Sequence, residues 1–480
     1  YWRQYTNNIL STITLEQKLP FIKGLSLKGS FSYDPYNYIQ KQWHQPFIYW
    51  TQNTSTTPYT YTPAYSTQET SAATFAWLNE QYYQNNTITW QGYLNYNNSF
   101  GLHDVTVLGV AELRSNKQAD FRARINNYAV TIDELSLGSS NKNDFDIAGG
   151  SGTGSQVGYV YRATYAYDRR YLFEASGRYD GHYYFAPGKR WVYLPAFSAG
   201  WIISNEKFFD NVNFIDFLKL RASWGKSGNL TSTGFQFLSS YFLRGNAYAF
   251  GDGALVQGSY VDRENNPNIT WEVAKKTDFA VEATFLKGML RFEANYFLER
   301  RTGMLLAPQI VVPQEYGLQL SQENAGILDS RGIELIVGVN KRLANGLQFN
   351  IDANFSYATN EVVQVFENAV TRNDPRRSRT GRRLNAVFGY KSLGLFTTAD
   401  DKDGNGIIDA ADGYNIQQFG TLRPGDIKYA DISGPNGVPD GKIDSYDEVE
   451  IGHPNVPAII YGINVGATWK GFDLPALFQG

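Results

Sequence analysis

Along much of the chain, segments of about ten residues alternate strictly between apolar and polar side chains. From Gly24 to Tyr33, Leu25, Leu27, Phe31 and Tyr33 fall on one face, and Ser26, Lys28, Ser30 and Ser32 on the other. From Leu347 to Tyr357 the apolar set is Leu347, Phe349, Ile351, Ala353, Phe355 and Tyr357. Gln348, Asn350, Asp352, Asn354 and Ser356 interleave with it. Successive side chains on a strand point to opposite faces, so each segment has one apolar and one polar face. About ten tilted residues also suffice to cross a hydrocarbon layer of roughly 30 Å. The pattern predicts an all-β protein, a large antiparallel transmembrane β-barrel.

The predicted strands cover 10–19, 25–33, 87–97, 103–113, 157–167, 171–180, 192–203, 217–225, 270–285, 290–300, 332–340, 347–357, 459–469 and 472–480, about 14 in all. Short turns join them in pairs at Pro20–Gly24, Asn98–Leu102, Asp168–Arg170, Lys287-Gly288, Lys341–Gly346 and Lys470-Gly471. The other connections are long, at 34–86, 114–156, 226–269, 301–331 and 358–458, with two shorter ones at 181–190 and 204–216. In outer-membrane barrels short turns face the periplasm and long loops face outside. Strand parity then makes 358–458 one external excursion, so Ala386–Phe396 is not a complete crossing. All of 1–480 is expected to be part of the barrel, with the closing strands outside this chain. The chain opens on Tyr1-Trp2 and ends inside a strand, as an internal piece of a longer polypeptide would.

Composition narrows the chemistry. Aromatic residues make up 15% of the 480, and many sit at segment ends, where barrels place their interfacial girdles. Soluble sugar-binding β proteins are aromatic-rich too, so a soluble or surface β-rich carbohydrate-binding or hydrolytic protein is the competing class. The absence of cysteine excludes disulfides, thiolate metal sites and thiol nucleophiles. A formal net charge of −3 gives no reason to expect a nucleic-acid partner.

The strongest local motif runs from Asp401 to Asp412. Asp401, Asp403, Asn405, Asp409 and Asp412 occupy positions 1, 3, 5, 9 and 12 of an EF-hand-type loop. Gly406 takes the sharp turn at position 6, and Ile407 offers its carbonyl at position 7. Calcium, a hard cation, takes six to eight oxygens, and this spacing converges most of them. A second acidic loop holds Asp431, Asp440, Lys442, Asp444 and Asp447, where Asp440–Asp447 fits positions 5 to 12 and Ser433–Pro439 stretches the first half. Calcium is therefore the expected, structural cofactor, and a solvated acidic turn is the alternative for each loop. Tyr36, Trp43, Trp50, Tyr59 and Trp77, in the predicted 34–86 loop, suit stacking on sugar rings or peptides. The alternative is that they pack the loop on itself. No nucleophile elbow or histidine pair stands out, and Gly225-Lys226-Ser227 lacks the rest of a phosphate loop. No enzymatic activity is expected.

One series of motifs goes further. Asp168-Arg169-Arg170-Tyr171-Leu172, Arg178-Tyr179-Asp180-Gly181 and Pro195-Ala196-Phe197-Ser198-Ala199-Gly200-Trp201 follow one another. Leu218-Lys219-Leu220-Arg221-Ala222-Ser223-Trp224-Gly225, Arg423-Pro424-Gly425-Asp426 and Lys470-Gly471-Phe472-Asp473-Leu474 come after them. Together they resemble the SusC/RagA family of TonB-dependent outer-membrane transporters of Bacteroidota, strongly over 156–480 and loosely over 1–155. The resemblance implies a 22-stranded barrel in the cell outer membrane, with an N-terminal plug and a SusD-like surface lipoprotein as partner. It implies import of an oligosaccharide or oligopeptide, driven by TonB through parts absent from this chain, with outer-membrane lipids around the wall.

Overall fold

The computed structural model describes residues 1–46, 48–65, 76–230, 234–251, 253–261, 263–309, 312–368, 371–372, 374 and 377–480. In chain order its strands are β1 Trp2–Asn8, β2 Ser11–Lys18, β3 Leu25–His44, β4 Ile48–Asn53, β5 Thr60–Tyr65, β6 Ala76–Phe100, β7 His103–Tyr128 and β8 Phe145–Tyr167. Next come β9 Tyr171–His182, β10 Trp191–Ile202, β11 Ile215–Asn229, β12 Tyr241–Phe250, β13 Ala254–Val261, β14 Glu272–Phe285, β15 Leu290–Leu306 and β16 Glu323–Arg342. The last are β17 Gln348–Gln364, β18 Phe388–Tyr390, β19 Ser392–Leu395, β20 Ile427–Tyr429, β21 Glu448–Glu450, β22 Ile459–Trp469 and β23 Phe472–Gln479.

Fifteen of these strands form one sheet, in the order β1-β3-β6-β7-β8-β9-β10-β11-β14-β15-β16-β17-β22-β23 with β2 also paired to β3. β1 pairs with Tyr36–Gln42 and β2 with Ser26–Tyr33 in one continuous register. They are a single strand path broken at Ile9 and Leu10, opposite Asp34 and Pro35. Pro35 has no N–H to give to a ladder, which is the local reason for the break. Fourteen paths result, the number the alternation predicts.

Two predicted boundaries need correction. The 34–86 and 114–156 stretches are not loops throughout, because β3 runs on to His44, β6 starts at Ala76, β7 runs to Tyr128 and β8 starts at Phe145. β7, with 26 residues, extends about 85 Å at ~3.3 Å per residue, far more than a hydrocarbon layer requires. Beyond the lipid no face needs to be apolar, so runs such as Glu80–Asn86 lose the alternation while the backbone ladder continues. Within the 358–458 stretch, β17 ends at Gln364, and β18–β21 pair only among themselves, outside the main sheet. Lys226 lies in extended β11, so the Gly225-Lys226-Ser227 triplet opens no helix.

Contacts divide the chain into two compact units, Tyr1–Asn98 with Val105–Arg162 and Arg178–Tyr183, and Ser99–Asp104 with Ala163–Gly177 and Tyr184–Gly480. In the second, the register assigns every side chain to a face. One face stacks the cross-strand rows Leu218–Ala283–Phe292–Val337–Ala353, Leu220–Val281–Ala294–Leu335–Phe355 and Ala222–Phe279–Tyr296–Ile333–Tyr357. These side chains are apolar and many are exposed, Phe279 at 53%. The opposite face carries Lys219–Glu282–Glu293 and Arg221–Ala280–Asn295–Glu334 in its rows. Arg221 bridges Glu282 and Glu293 there at 2.9 Å each, and Lys219 reaches Glu282 at 3.3 Å. Apolar surface in the open and charge on the other side is the reverse of a water-soluble sheet. Lipid on one face and water on the other satisfies both.

The first unit repeats the arrangement. Ile13, Phe31 and Trp90 form an apolar row, while Gln91, one position on, donates to Glu112 at 2.6 Å. Arg178 joins Glu112 at 3.6 Å and Asp180 at 2.9 Å. Interior packing is limited to small clusters such as Trp43 with Leu78 and Tyr128, and Phe185 with Ile269 and Trp271.

Candidate functional site

The two acidic loops share a set of backbone bonds at positions 1, 5, 9 and 12. In the first, Asp401 accepts from the backbone N–H of Asn405 at 3.1 Å and of Gly406 at 2.8 Å. In the second, Asp431 accepts from Asp440 at 3.3 Å and Gly441 at 2.7 Å. Asp412 accepts from Lys402 N–H at 2.6 Å, Asp409 at 3.0 Å and Asp403 at 3.4 Å. Asp447 matches it, accepting from Ile432 at 2.6 Å, Asp444 at 2.9 Å and Ser433 at 3.0 Å. Asn405 and Asp440 each accept from the residue two places on, Ile407 and Lys442. Asp409 and Asp444 each cap a 3₁₀ turn through reciprocal bonds with Asp412 and Asp447. Ser433 therefore occupies position 3 of the second loop, and Gly434–Pro439 is an insertion that leaves the rest in register.

Position 6 explains its glycines. Gly406 has φ +79° and Gly441 φ +84°, a conformation side-chain-bearing residues rarely adopt. Ile408 and Ile443, both buried, anchor each loop inward through backbone bonds to Leu422 and Gln417.

Asp401, Asp403 and Asp412 come together, with one carboxylate oxygen from each lying within 4.8 Å of the others. Asp409 instead directs its carboxylate to Ala411 N–H at 2.7 Å. The second loop, with Ser433 in place of an acid, forms no such triplet among the described residues. The amide bonds from Asp409, Lys402 and Asp403 keep the buried Asp412 carboxyl below the usual carboxylate range. It is therefore ionised at neutral pH, and the backbone bonds leave lone pairs free on its oxygens. The donor set, hard oxygens on a twelve-residue loop, fits a calcium-sized cation. Lys402 also donates its Nζ to the Asp412 carbonyl.

The aromatic candidates separate. Trp43 is buried with its edge on Tyr128, centroids 4.8 Å apart. Trp77 is buried between His44, stacked at 5.2 Å, and the Arg124 guanidinium at 4.0 Å. Tyr36 is half-buried against Tyr38 and Tyr83. The self-packing alternative describes these three. Trp50, on the β4–β5 hairpin, and Tyr59 at its turn stay open, at 62% and 57% exposure, and Tyr61 joins them. The Tyr65 side chain lies outside the described residues.

Sequence reading did not single out a cluster at the short-turn end. Glu206, on the connection after β10, accepts from Tyr171 hydroxyl at 2.6 Å, Trp201 indole at 3.0 Å and Arg170 at 3.0 Å. The Tyr171 and Trp201 bonds lead in holding its carboxyl below the usual range. Asn205 donates to the Arg169 carbonyl at 2.9 Å, tying that connection to the Asp168–Arg170 turn. Its sequence signal is the spacing of Arg170-Tyr171 and Trp201 at strand ends that face the same margin.

A family model described as TonB dependent receptor-like, β-barrel, matches residues 2–449. A TonB-dependent receptor of Formosa agariphila is 28% identical over 422 residues, 85% of this chain and 39% of that protein. TonB-dependent receptor SusC of Bacteroides thetaiotaomicron is 24% identical over 284 residues, 54% of this chain and 28% of its own length. The chain thus spans well under half of the curated relatives it matches. A solved structure of the RagAB peptide transporter shares the fold with a TM-score of 0.77 at 18% identity, covering 100% of this chain and 47% of the other. The soluble alternative gives way to this match, which covers nearly the whole chain. With its lipid-type face, its charged opposite rows and its strand order, the chain belongs to the TonB-dependent receptor-like β-barrel family of the outer membrane.

Proposed function

We propose that the protein containing this chain imports oligomeric nutrients, glycan or peptide, across the outer membrane, powered by TonB and paired with a SusD-like surface lipoprotein. The observation that carries the reading is the charged face of β11, β14 and β15 behind an apolar one. A polar oligomer needs such a water-lined wall to pass, and no group on it is arranged as nucleophile and base. In this reading the long connections, including 365–458, lie outside. The exposed apolar strands β12 and β13, with Tyr241, Leu243, Tyr248 and Phe250 open, support a partner over them.

Deleting the full-length gene should abolish growth on one oligomer class as sole nutrient while growth on its monomers persists. Purification of the full-length protein should bring a lipoprotein with it. Unchanged uptake in the deletion strain, or repeated purification without a lipoprotein, would reject the corresponding half. Orientation is read separately, by labelling a cysteine placed at exposed Asn436 on intact cells. Trp50 and Tyr59 are the proposed stacking residues. Replacing both exposed rings by alanine should weaken substrate capture roughly thirtyfold, since ring stacking is worth about 1 kcal/mol for each ring.

Calcium is proposed for the loop from Asp401 to Asp412, as a brace with no catalytic part. The ion would neutralise three converging carboxylates and stiffen the segment that faces partner or substrate. The loop from Asp431 to Asp447 would bind more weakly, because among the described residues its carboxylates form no converging triplet like that of Asp401, Asp403 and Asp412. Calorimetry on the full-length protein should detect calcium binding that disappears in D401N/D403N. Heats identical in wild type and this variant would refute the site.

A further inference from the structure

Directly beyond the apolar rows, toward the long-connection end of the sheet, the same face changes character. The next row is Trp224–Thr277–Leu298–Arg331–Thr359, and the one after it is Lys226–Lys275–Arg300–Asp329–Glu361. Three cations therefore stand side by side on adjacent strands, Lys226 opposite Lys275 and Lys275 opposite Arg300. Like charges directly opposite each other destabilise a sheet. Arg300 is neutralised by Asp329 through a two-pronged contact at 2.7 and 2.6 Å. Lys226, Lys275 and Arg331 have no ion pair among the described residues. The inward-facing neighbour contrasts with them, since Lys276 has Glu299 at 3.2 Å.

We propose that this margin is a binding site for the phosphate-bearing sugar headgroup of a glycolipid in the surrounding leaflet. Three considerations select that occupant. The cations lie on the lipid-side face, in continuity with the apolar rows, where acyl chains end and headgroups begin. Their unbalanced charge complements a phosphate, and basic groups at such a boundary attract anionic headgroups. A cleft of ≈460 Å³ opens there, with Trp224 and Leu298 giving an apolar floor and the Glu361 carboxylate giving acceptors for sugar hydroxyls. A plain phospholipid would use the cations but not those acceptors. The choice of a glycolipid rests on the orientation proposed above, with this margin in the outer leaflet.

The test is native mass spectrometry of the full-length protein in detergent, titrated with lipid A and separately with phosphatidylglycerol. Wild type should retain lipid A. The K226Q/K275Q/R331Q variant should lose retention by about tenfold or more, three surface cations being involved. K276Q, one residue away but on the inner face, should behave as wild type. If the triple variant retains lipid A as wild type does, or K276Q loses it equally, the site is wrong. If phosphatidylglycerol is preferred through the same three residues, the glycolipid assignment is overturned. A failed orientation shows instead in the cell-labelling experiment, whatever the lipid result.

Discussion

Replacing Asp447 by alanine should open the second acidic loop. This carboxylate is fully buried and is the shared acceptor for the N–H groups of Ile432, Ser433 and Asp444. Alanine would leave three amide donors without their partner, one buried and two half-buried, at up to ~1–3 kcal/mol each, or about 3–9 kcal/mol at most together. Local structure rarely holds against such a loss. The next residues are β21, Glu448–Glu450, which pairs with β18, so that small ladder should loosen as well. Hydrogen exchange on the full-length protein reads this directly: the Ile432, Ser433 and Asp444 amides should lose their protection. Asp440→Asn, at an exposed position with one backbone bond, should change them little. Full protection in the Asp447 variant would show that the loop is held by something else.

Gly332→Val should block assembly of the sheet. A Cβ at this position would lie 2.4 Å from the Tyr357 carbonyl oxygen and 2.6 Å from the Phe297 ring. Gly332 pairs with Phe297 on one side and Ala358 on the other, so its neighbours belong to two ladders and cannot both retreat. Overpacking of this kind costs ~1–3 kcal/mol where a side chain can move, and more where backbone must. The barrel's heat-modifiable gel band should largely disappear in this variant. Gly29→Val is the matched control, because nothing lies within 4 Å of its added Cβ. Equal yields of folded protein from the two variants would refute the steric account.

These two residues mark what a sequence shows and what it hides. Lipid imposes a period of two on every crossing segment, so Leu347–Tyr357 declares both its strand and its outward face. The same logic made the fourteen paths and the short turns legible. Beyond the lipid that constraint ends, which is why the outer reaches of β3, β6, β7 and β8 looked like loop. EF-hand spacing exposed the first acidic loop because ligand positions are fixed in number. The insertion at Gly434–Pro439 concealed that Ser433 holds position 3, a fact visible only in the shared backbone bonds. For Trp43 and Trp77 the sequence leaves stacking and self-packing both open, because composition does not reveal which aromatic residue lies under another. The three-cation row was hidden for a related reason: Lys226, Lys275 and Arg300 are far apart in sequence, and only register makes them neighbours.

The insertion in the second loop also has a practical side. Gly434–Pro439 lengthens the chain without disturbing any of the bonds the two loops share, so this loop already accommodates extra residues there. Gly437 at its tip has φ +77° and open space around it. A short epitope threaded beside Gly437 would sit at the end of a natural detour rather than across a scaffold. Under the orientation proposed above for the 365–458 connection, such a tag would report on intact cells where and when the protein reaches the surface.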